Sequence, residues 1–360
     1  MLTRSLRKSL VIACAALLLG ATSMPRAMAA DPPTFKFAWS IYTGYMPWLY
    51  AEQSGILKKW ADKYKIKIEL TQINDYIESI NQYTAGQFDA VADTNMDSLT
   101  IPAAGGVDTT VVILGDYSSG NDAIFLKGKG KKLADIKGQE VSLVQLSVSH
   151  YMLWRALDSI GLKESDITTS NISDADFVPV WGTSKVKAEV VWNPATAEIV
   201  KTPNASMVYD SSKMPGELQD IVTVNTKVLK EHPEFGKALT GAWYETLAVM
   251  QKADKKSTDA KTAMAVASGT DLPGFESQLK TTHLYYSPAE AVTFFHSPEM
   301  AKITDLVMTF SFEHGLLGDK AKSKDEIGIE LPGGKILGDK SNVKLRFDPS
   351  YMDMAANGKL

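Results

Sequence analysis

The chain has 360 residues, of which 44% are hydrophobic and 22% are charged. This balance is that of a globular protein, and it excludes collagen-like repeats, a long coiled coil and extended disorder. The formal charge of -4 at pH 7 argues against nucleic acid as a partner, because nucleic-acid binding needs a basic surface. The length fits about two domains, whose core is large enough to need neither metal nor disulfide.

The N-terminal segment has the three parts of a secretory signal peptide. Basic residues come first, at Arg4, Arg7 and Lys8, and an apolar run follows over residues 10–20. The sequence Ala27-Met28-Ala29 then has the small-x-small pattern of a cleavage site. The apolar run is too short to span a bilayer. We therefore predict a signal peptide over residues 1–29 and a periplasmic location for the remaining chain.

Cys14 is the only cysteine, and it lies inside the predicted signal peptide. A lipid anchor on Cys14 is disfavoured, because the apolar run continues beyond it. The exported chain would then have no cysteine, which excludes disulfides, thiol catalysis and cysteine-ligated metal. The predicted signal peptide contains basic residues and no acid, so its removal makes the chain more acidic.

Strand and helix patterns alternate through the first third of the exported chain. Period-2 or buried apolar runs predict strands at residues 35–39, 65–70, 88–92 and 109–114. Between them, apolar residues at helical spacing predict a helix over residues 46–60 and a second one after Asp75, whose capping box with Glu78 marks its start. This alternation predicts an α/β domain with a mostly parallel sheet.

A polar segment, residues 116–122, joins two apolar strands and has the composition of an interdomain hinge. The α/β alternation then restarts, with strands predicted at residues 123–126, 140–146, 177–180 and 188–192. A further strand at residues 220–224 returns to the first unit. We therefore predict two α/β lobes joined by a two-crossing hinge. Lobe 1 would comprise residues 30–118 plus 222–360, and lobe 2 residues 119–221.

The remainder of the chain is predicted to be mainly helical. A long apolar stripe from Phe235 to Met250 includes Trp243, for which a core position is favoured. Ser287-Pro288 and Ser297-Pro298 mark two further helix starts, each with serine at the N-cap and proline at the first helical position. The last forty residues are rich in glycine and polar residues, and we expect them to wrap over the surface.

Several short motifs give the chain a family resemblance. They are Trp39-Ser40-Ile41-Tyr42-Thr43-Gly44-Tyr45, Gly86-Gln87-Phe88-Asp89-Ala90-Val91-Ala92, Ser147-Val148-Ser149-His150 and Val191-Trp192-Asn193-Pro194. In order and spacing they resemble the nitrate/sulfonate/taurine class of periplasmic substrate-binding proteins, over about residues 34–315. Within this class the chain looks most like the branch associated with urea carboxylase gene clusters, which is linked to guanidine or urea.

The resemblance implies a bilobal periplasmic-binding-protein fold of type II, with the solute held between the lobes. It also implies the role of solute-binding component of an ABC importer, with a permease in the inner membrane as partner. It implies no catalysis and no cofactor. We expect a monomer that closes around its solute and then docks on the permease.

The charges of the loops predicted to line the cleft indicate a cationic solute. These loops are residues 39–46, 74–76, 93–97, 116–122, 147–150, 181–184 and 192–196. Anion binders use Arg, Lys or free helix N-termini, but the only arginines after the signal peptide, Arg155 and Arg346, lie outside these loops. The loops instead contain aspartates and aromatic residues. A planar guanidinium could donate paired N–H groups to a carboxylate and stack on an indole. Helix N-termini at the cleft favour anions, so the carboxylates of a cation site must outweigh the electrostatic effect of these helix ends.

We predict nine solute-binding residues: Trp39, Tyr42, Asp75, Asp93, Asn95, Asp116, Ser147, His150 and Trp192. Local structural roles compete with binding at several of these positions. Asp75 is as well suited to capping a helix, and Asp116 could lock the hinge rather than touch the solute. His150 is included chiefly on the resemblance. No metal site is predicted, since the histidines lack metal-ligand spacing.

Alternative functions remain open to different degrees. Urea or another small amide, or a sulfonate- or nitrate-type anion, would suit the same importer role. An enzyme is the least favoured class. The thiamin-pyrimidine synthases resemble these binding proteins but need a cysteine-rich motif, which the exported chain lacks. The motifs GxSxG and HExxH are absent as well, which disfavours a serine or zinc hydrolase.

Overall fold

Two β-sheets organise the described part of the chain, residues 31–360 of a computed structural model. The predicted signal peptide lies outside these described residues. One sheet takes its strands from residues 34–118 and 219–347, and the other from residues 123–210. The chain crosses between the sheets after residue 118 and again before residue 219. We call the two units lobe 1 and lobe 2.

The sheet of lobe 1 has nine strands within residues 31–360. They are β1 (Thr34–Trp39), β2 (Lys67–Gln72), β3 (Ala90–Thr94), β4 (Thr109–Ser118), β10 (Gln219–Asn225), β11 (Thr282–Leu284), β12 (Gly328–Leu331), β13 (Lys335–Leu337) and β14 (Val343–Phe347). Strand β10 lies antiparallel between β3 and β4, while β1 pairs in parallel with β2 and β3. The two crossing segments, β4 and β10, are therefore neighbours in one sheet.

The sheet of lobe 2 has five strands within the same residues. They are β5 (Ala123–Lys127), β6 (Glu140–Leu143), β7 (Thr168–Asn171), β8 (Ala188–Val191) and β9 (Ala205–Asp210). The order is β7-β6-β8-β5-β9, with β5 antiparallel to both of its neighbours. The central strand β8 is buried along its whole length, as expected for a strand covered on both faces.

Helices cover both sheets. They are α1 (Met46–Gln53), α2 (Ile56–Lys63), α3 (Tyr76–Thr84), α4 (Asn95–Ser98), α5 (Val148–Asp158), α6 (Phe177–Gly182), α7 (Ala195–Ile199), α8 (Thr226–Glu231), α9 (Pro233–Met250), α10 (Lys255–Ala267), α11 (Leu272–Leu279), α12 (Pro288–Phe295), α13 (Pro298–Glu313) and α14 (Ser350–Ala356). Helix α9 buries its apolar stripe, and Trp243 lies in the core against Trp48, as predicted. No helix of residues 31–360 is long and apolar enough to cross a membrane.

Three local predictions were wrong. The segment 177–180 is the start of α6 and not a strand, because four mainly apolar residues fit one helical turn equally well. The predicted helix over 46–60 is two helices, α1 and α2, separated by Gly55 in the left-handed region (φ 77°). The last forty residues do not merely cover the surface, because three of their segments become β12, β13 and β14 at one edge of the lobe 1 sheet.

Helix α13 makes a further connection between the lobes. Near its start, Met300 contacts Gln219 at the second crossing. Near its end, Phe310 packs against Tyr151 and Trp154 of α5 in lobe 2. The predicted lobe boundaries stay a prediction, and α13 shows that packing does not follow them throughout.

Candidate functional site

A small cavity lies between the lobes, at the carboxyl ends of the lobe 1 strands. Its walls are formed by Ser40, Tyr42, Tyr45, Tyr76, Thr94, Asp122, Val148, Trp192, Leu218 and Asp220. The cavity volume is about 30 Å³, roughly two to three times the minimum needed for one water molecule. The cavity therefore fits a solute of a few non-hydrogen atoms.

Each of the three tyrosines in the wall donates its hydroxyl to a buried aspartate. Tyr42 Oη lies 3.2 Å from Asp116 Oδ1, and Tyr45 Oη lies 2.7 Å from Asp220 Oδ1. The same arrangement recurs at Tyr76, whose hydroxyl lies 2.7 Å from Asp97 Oδ2. Aromatic rings thus face the cavity with carboxyl groups at their polar ends.

Asp116 and Asp220 form a carboxyl pair at the crossing strands. They lie opposite each other in the antiparallel ladder between β4 and β10. Burial and the proximity of Asp220 raise the pKa of Asp116 well above its usual range, and burial raises the pKa of Asp220 as well. The Asp116 Oδ2 atom is buried without a hydrogen bond partner in the described chain. It lies so close to Gly44 that a Cβ there would collide with it.

The other buried aspartates also have raised pKa values. Burial raises the pKa of Asp122 to about 7 and that of Asp97 to about 6. Burial likewise raises the pKa of Asp93 well above its usual range, although Ser98 and Thr223 donate hydrogen bonds to it. The raised pKa values share one cause: the three carboxyl groups lie out of water, and no basic side chain of residues 31–360 acts on them to favour the charged form.

Within residues 31–360, the cavity wall contains no lysine or arginine side chain. Arg155 instead forms a bidentate pair with Glu217 ahead of β10, with distances of 2.7 and 2.8 Å. Arg346 pairs with Asp108 at the far side of lobe 1. The site therefore has a surplus of acidic groups that a bound cation would neutralise.

The structure places the nine predicted site residues in three groups. Tyr42 and Trp192 belong to the cavity wall. Asp116 lies directly behind the wall, where it accepts the Tyr42 hydroxyl. The remaining six are outside the wall: Trp39, Asp75, Asp93, Asn95, Ser147 and His150.

Most of the residues outside the wall have structural partners. Asp75 caps α3 by accepting the Glu78 N–H, and it also accepts the Ser173 hydroxyl from lobe 2 at 3.1 Å. Ser147 caps α5 through the Ser149 N–H. Asn95 binds the main chain of the second crossing, at Glu217. Trp39 is buried at the end of β1.

His150 belongs to a different cluster. Its Nε2 lies 2.6 Å from Glu164, and His314 Nε2 lies 2.6 Å from the other oxygen of the same carboxylate. Burial opposes ionisation of Glu164, but the hydrogen bonds from both histidines lower its pKa to about 2. The Leu146 N–H donates to His150 Nδ1, so the proton of a neutral His150 ring lies on Nε2, the nitrogen nearest Glu164.

This cluster has the composition of a metal site, which the sequence spacing did not reveal. Its three ligand atoms lie within 4.8 Å of one another. However, a metal on His150 Nε2 would require a proton on Nδ1, where the Leu146 N–H already donates. Burial opposes the charged form of His314, but its hydrogen bond to Glu164 raises the pKa of the ring. The arrangement is therefore a hydrogen-bonded pair of His314 and Glu164, with His150 beside it, that fastens the end of α13 to lobe 2.

Several wall residues were not among the residues predicted from the sequence. Tyr45, Tyr76 and Asp122 lie in or beside loops that the order of elements assigns to the cleft, but loop position alone did not single them out. Asp220 depends on how β10 pairs with its neighbours in the lobe 1 sheet. An acidic residue at the start of the second crossing strand was the available hint for Asp220.

Two curated proteins of Escherichia coli (strain K12) are related to part of the chain. The taurine-binding periplasmic protein is 22% identical over 151 residues, which are 41% of this chain and 47% of that protein. A putative aliphatic sulfonates-binding protein is 28% identical over 141 residues, which are 39% of this chain and 36% of that protein. The matched region thus spans less than half the length of either relative. Both are named as binding proteins and not as enzymes, in line with the expectation from the sequence.

Solved structures show the fold. The alkanesulfonate-binding protein of Xanthomonas axonopodis pv. citri, bound to MOPS, superposes with a TM-score of 0.66 at 16% identity, covering 81% of this chain and 96% of that one. The bilobal type II periplasmic-binding-protein fold predicted from the sequence is therefore confirmed. The family description NMT1/THI5 like matches residues 45–256, which is more than half of the chain. The chain belongs to the NMT1/THI5-like family.

Proposed function

We propose that this protein is the periplasmic solute-binding component of an ABC importer and that its solute is guanidinium. Three observations support the importer role. The fold is that of periplasmic binding proteins, the two curated relatives are named as periplasmic or sulfonate-binding proteins, and the sequence begins with the pattern of a signal peptide. The permease partner and a monomeric state belong to the same proposal.

The choice of guanidinium as the solute rests on the acidic side chains of the interlobe cavity wall. Asp122 and Asp220 face the cavity, and Asp97 and Asp116 hold the hydroxyls of wall tyrosines. Desolvated carboxylates without a basic partner are costly, and a cation between them would remove that cost. An anion would add to it. A cationic solute is therefore the best match to these residues.

The shape of the wall favours a small planar cation. Trp192 and Tyr76 meet edge to face, with ring centroids 5.8 Å apart, and both border the cavity. A guanidinium ion could place its N–H groups on Asp122 and Asp220 and its face on an aromatic ring. Urea has a similar shape, but it is neutral and would leave the carboxyl charges uncompensated. Guanidinium thus uses both features of the site.

Capture would occur by closure of the lobes. Contacts across the cleft join Ser173 to Asp75 at 3.1 Å and the Tyr76 N–H to Asp174 at 3.3 Å, beside the Tyr76–Trp192 contact. These contacts can form only when the lobes are together. A solute that binds residues of both lobes would stabilise this closed form, which would then deliver it to the permease.

A taurine-like sulfonate is the second candidate, and the names of the two curated relatives favour it. Taurine carries an ammonium group, which could meet the aspartates, and a sulfonate, which would need a donor set. Within the described wall, that set would be limited to side-chain donors without a positive charge and backbone N–H groups. The acidic side chains make this candidate weaker than a simple cation.

The test is thermal unfolding and titration calorimetry of residues 30–360 with guanidinium, methylguanidine, urea, taurine, nitrate and bicarbonate. Guanidinium is kept at micromolar to low millimolar concentrations, far below denaturing levels. A ligand at a hundredfold excess over its Kd should stabilise the protein by about 2.7 kcal/mol. Stabilisation by guanidinium alone supports the proposal. Stabilisation by taurine alone overturns the choice of solute and leaves the importer role standing.

A further inference from the structure

The N-terminus of α5 points at the solute cavity. This helix has eleven residues, and its first residue, Val148, is part of the cavity wall. The first N–H groups of a helix lack partners within it, and together with the helix dipole they attract negative charge. In a cleft that holds small solutes, such a helix end would ordinarily favour an anionic group. The acidic character of the same cavity conflicts with this preference.

Asp97 of lobe 1 resolves the conflict. Its side chain is fully buried, and its Oδ2 atom accepts hydrogen bonds from Tyr76 Oη at 2.7 Å and from Thr94 Oγ1 at 2.8 Å. Tyr76, Thr94 and Val148 all border the cavity, so Asp97 lies just behind its wall, opposite α5. Burial raises the pKa of Asp97, and the Val148 N–H acts on the carboxyl in the opposite direction.

The second oxygen of Asp97 is the one left available to this helix end. Asp97 Oδ1 is buried and has no hydrogen bond partner within 3.5 Å in residues 31–360. The hydroxyls that hold Oδ2 fix the plane of the carboxyl group, and Oδ1 is left as the oxygen that can turn to the Val148 N–H. The N-terminus of α5 therefore already faces a carboxylate that belongs to the protein.

We propose that Asp97 is a specificity-determining residue whose carboxylate takes the place of a solute anion at the N-terminus of α5. Anionic solutes are disfavoured twice, because Asp97 competes for the helix end and because the added charge would lie beside Asp97. Cationic solutes do not compete with Asp97, and the acidic side chains of the cavity wall attract them. This inference rests on the proposed binding of a small solute in the interlobe cavity, and it deepens that proposal by naming the residue that selects the sign of the charge.

The experiment compares the wild-type protein with Asp97→Ala and Asp97→Asn. Titration calorimetry measures binding of guanidinium, methanesulfonate and nitrate, the last two being anions without a cationic group. The wild type should bind both anions only weakly, at or near the detection limit, which then sets the reference affinity. Asp97→Ala should bind methanesulfonate or nitrate about tenfold more tightly than the wild type, or better, and bind guanidinium more weakly. Asp97→Asn keeps the shape and removes the charge, so it shows the same change if the alanine variant fails to fold.

Asp93→Asn is the matched control. Asp93 is an equally buried aspartate four residues away, but its carboxylate is held by Ser98 and Thr223 rather than lying opposite α5. It should gain no anion binding. Folded Asp97 variants that bind no anion better than the wild type overturn the inference, even if the wild type binds guanidinium. Anion binding by the variants alone supports it, even if guanidinium proves not to be the solute.

Discussion

Asp116 and Asp220 face each other across neighbouring antiparallel strands, at the point where the chain crosses between the lobes. Burial raises the pKa of both carboxyl groups, and the proximity of Asp220 raises that of Asp116 further, so the pair keeps a proton to higher pH than free aspartates do. Tyr42 and Tyr45 connect the pair to the cavity, since each donates its hydroxyl to one of the two carboxyls. The protonation of the crossing strands is therefore coupled to what the cavity contains.

Removing single carboxylates from the wall should weaken cation binding. We expect Asp122→Asn and Asp220→Asn each to reduce the affinity for guanidinium by about 10- to 100-fold, because a hydrogen bond to a charged group contributes about 1.5–3 kcal/mol. Titration calorimetry measures the change. Asp158→Asn, at the exposed end of α5, is the control and should bind as the wild type does. Unchanged affinity in both wall variants would contradict a carboxylate site.

Trp192 should contribute through its ring face. We expect Trp192→Ala to weaken guanidinium binding by about 2- to 30-fold, from a cation–π contribution of about 0.5–2 kcal/mol, and Trp192→Phe to retain part of it. Trp181→Phe is the control, because Trp181 packs on Phe125 in lobe 2 and donates to Thr202 outside the cavity wall. That variant should lose thermal stability and keep its affinity. Equal losses of affinity at both tryptophans would speak against a direct contact.

Gly44 should be sensitive to the smallest possible substitution. A Cβ at Gly44 would collide with Asp116 Oδ2 and with the Tyr42 ring, so Gly44→Ala must displace the carboxyl pair. We expect at least about a tenfold loss of guanidinium affinity, since one charge-assisted contact is disturbed. At Gly182, apart from its chain neighbours, no atom of the described residues lies within 4 Å of an added Cβ, so Gly182→Ala should leave binding unchanged. A Gly44→Ala variant with wild-type affinity would show that the position of Asp116 does not matter.

The stability of the protein should depend on pH in an unusual direction. Burial raises the pKa values of five carboxyls near the cleft: Asp93, Asp97, Asp116, Asp122 and Asp220. In the unfolded chain they titrate near pH 4. Between about pH 4 and 7 the ligand-free folded state therefore binds more protons, and the free energy of unfolding falls as the pH rises.

A bound cation should cancel this loss, because it favours the charged carboxylates. The increase in Tm caused by guanidinium should thus be larger at about pH 8 than at about pH 5.5. Glu189 should make the free energy of unfolding depend on pH in the same direction, since burial raises its pKa to about 8. However, it lies in β8 outside the cavity wall. Glu189→Gln should change the pH dependence of the ligand-free protein and leave the ligand-dependent difference intact. A difference that does not vary with pH would exclude coupling between binding and carboxyl ionisation.

Much of the fold could be predicted because its signals are local. The alternating residues of β1 and β2 and the apolar stripe of α9 indicate their structures within a few turns or pleats. The strands β12 to β14 could not be predicted in this way. They are short and lie in a segment rich in glycine and polar residues, and β14 forms its strand by pairing in parallel with both β12 and β4. Their structure depends on a distant partner.

The residues of the candidate site likewise divide into those that a local sequence pattern predicts and those that it does not. Tyr42 and Trp192 follow strands of the predicted alternation, so their place at the cleft could be inferred from the order of elements. Asp75 and Ser147 satisfied the same rule, yet each serves chiefly as a helix cap. The meeting of His150 with Glu164 and His314 joins residues from distant parts of the chain, which no local pattern could reveal. Strand register and the packing of distant elements, and not composition, decide which polar residues share a site.

The unneutralised acids of the interlobe wall have a consequence for the efficiency of transport. Bringing the lobes together without a cation forces the buried carboxyls either to stay charged without a partner or to take up protons. Both cost free energy, so the ligand-free protein is biased towards the open form. A bound cation supplies the missing countercharge and stabilises the closed form of the two lobes. In an importer of the kind proposed, the closed form would then indicate that solute is bound. The permease would therefore not hydrolyse ATP on ligand-free binding protein.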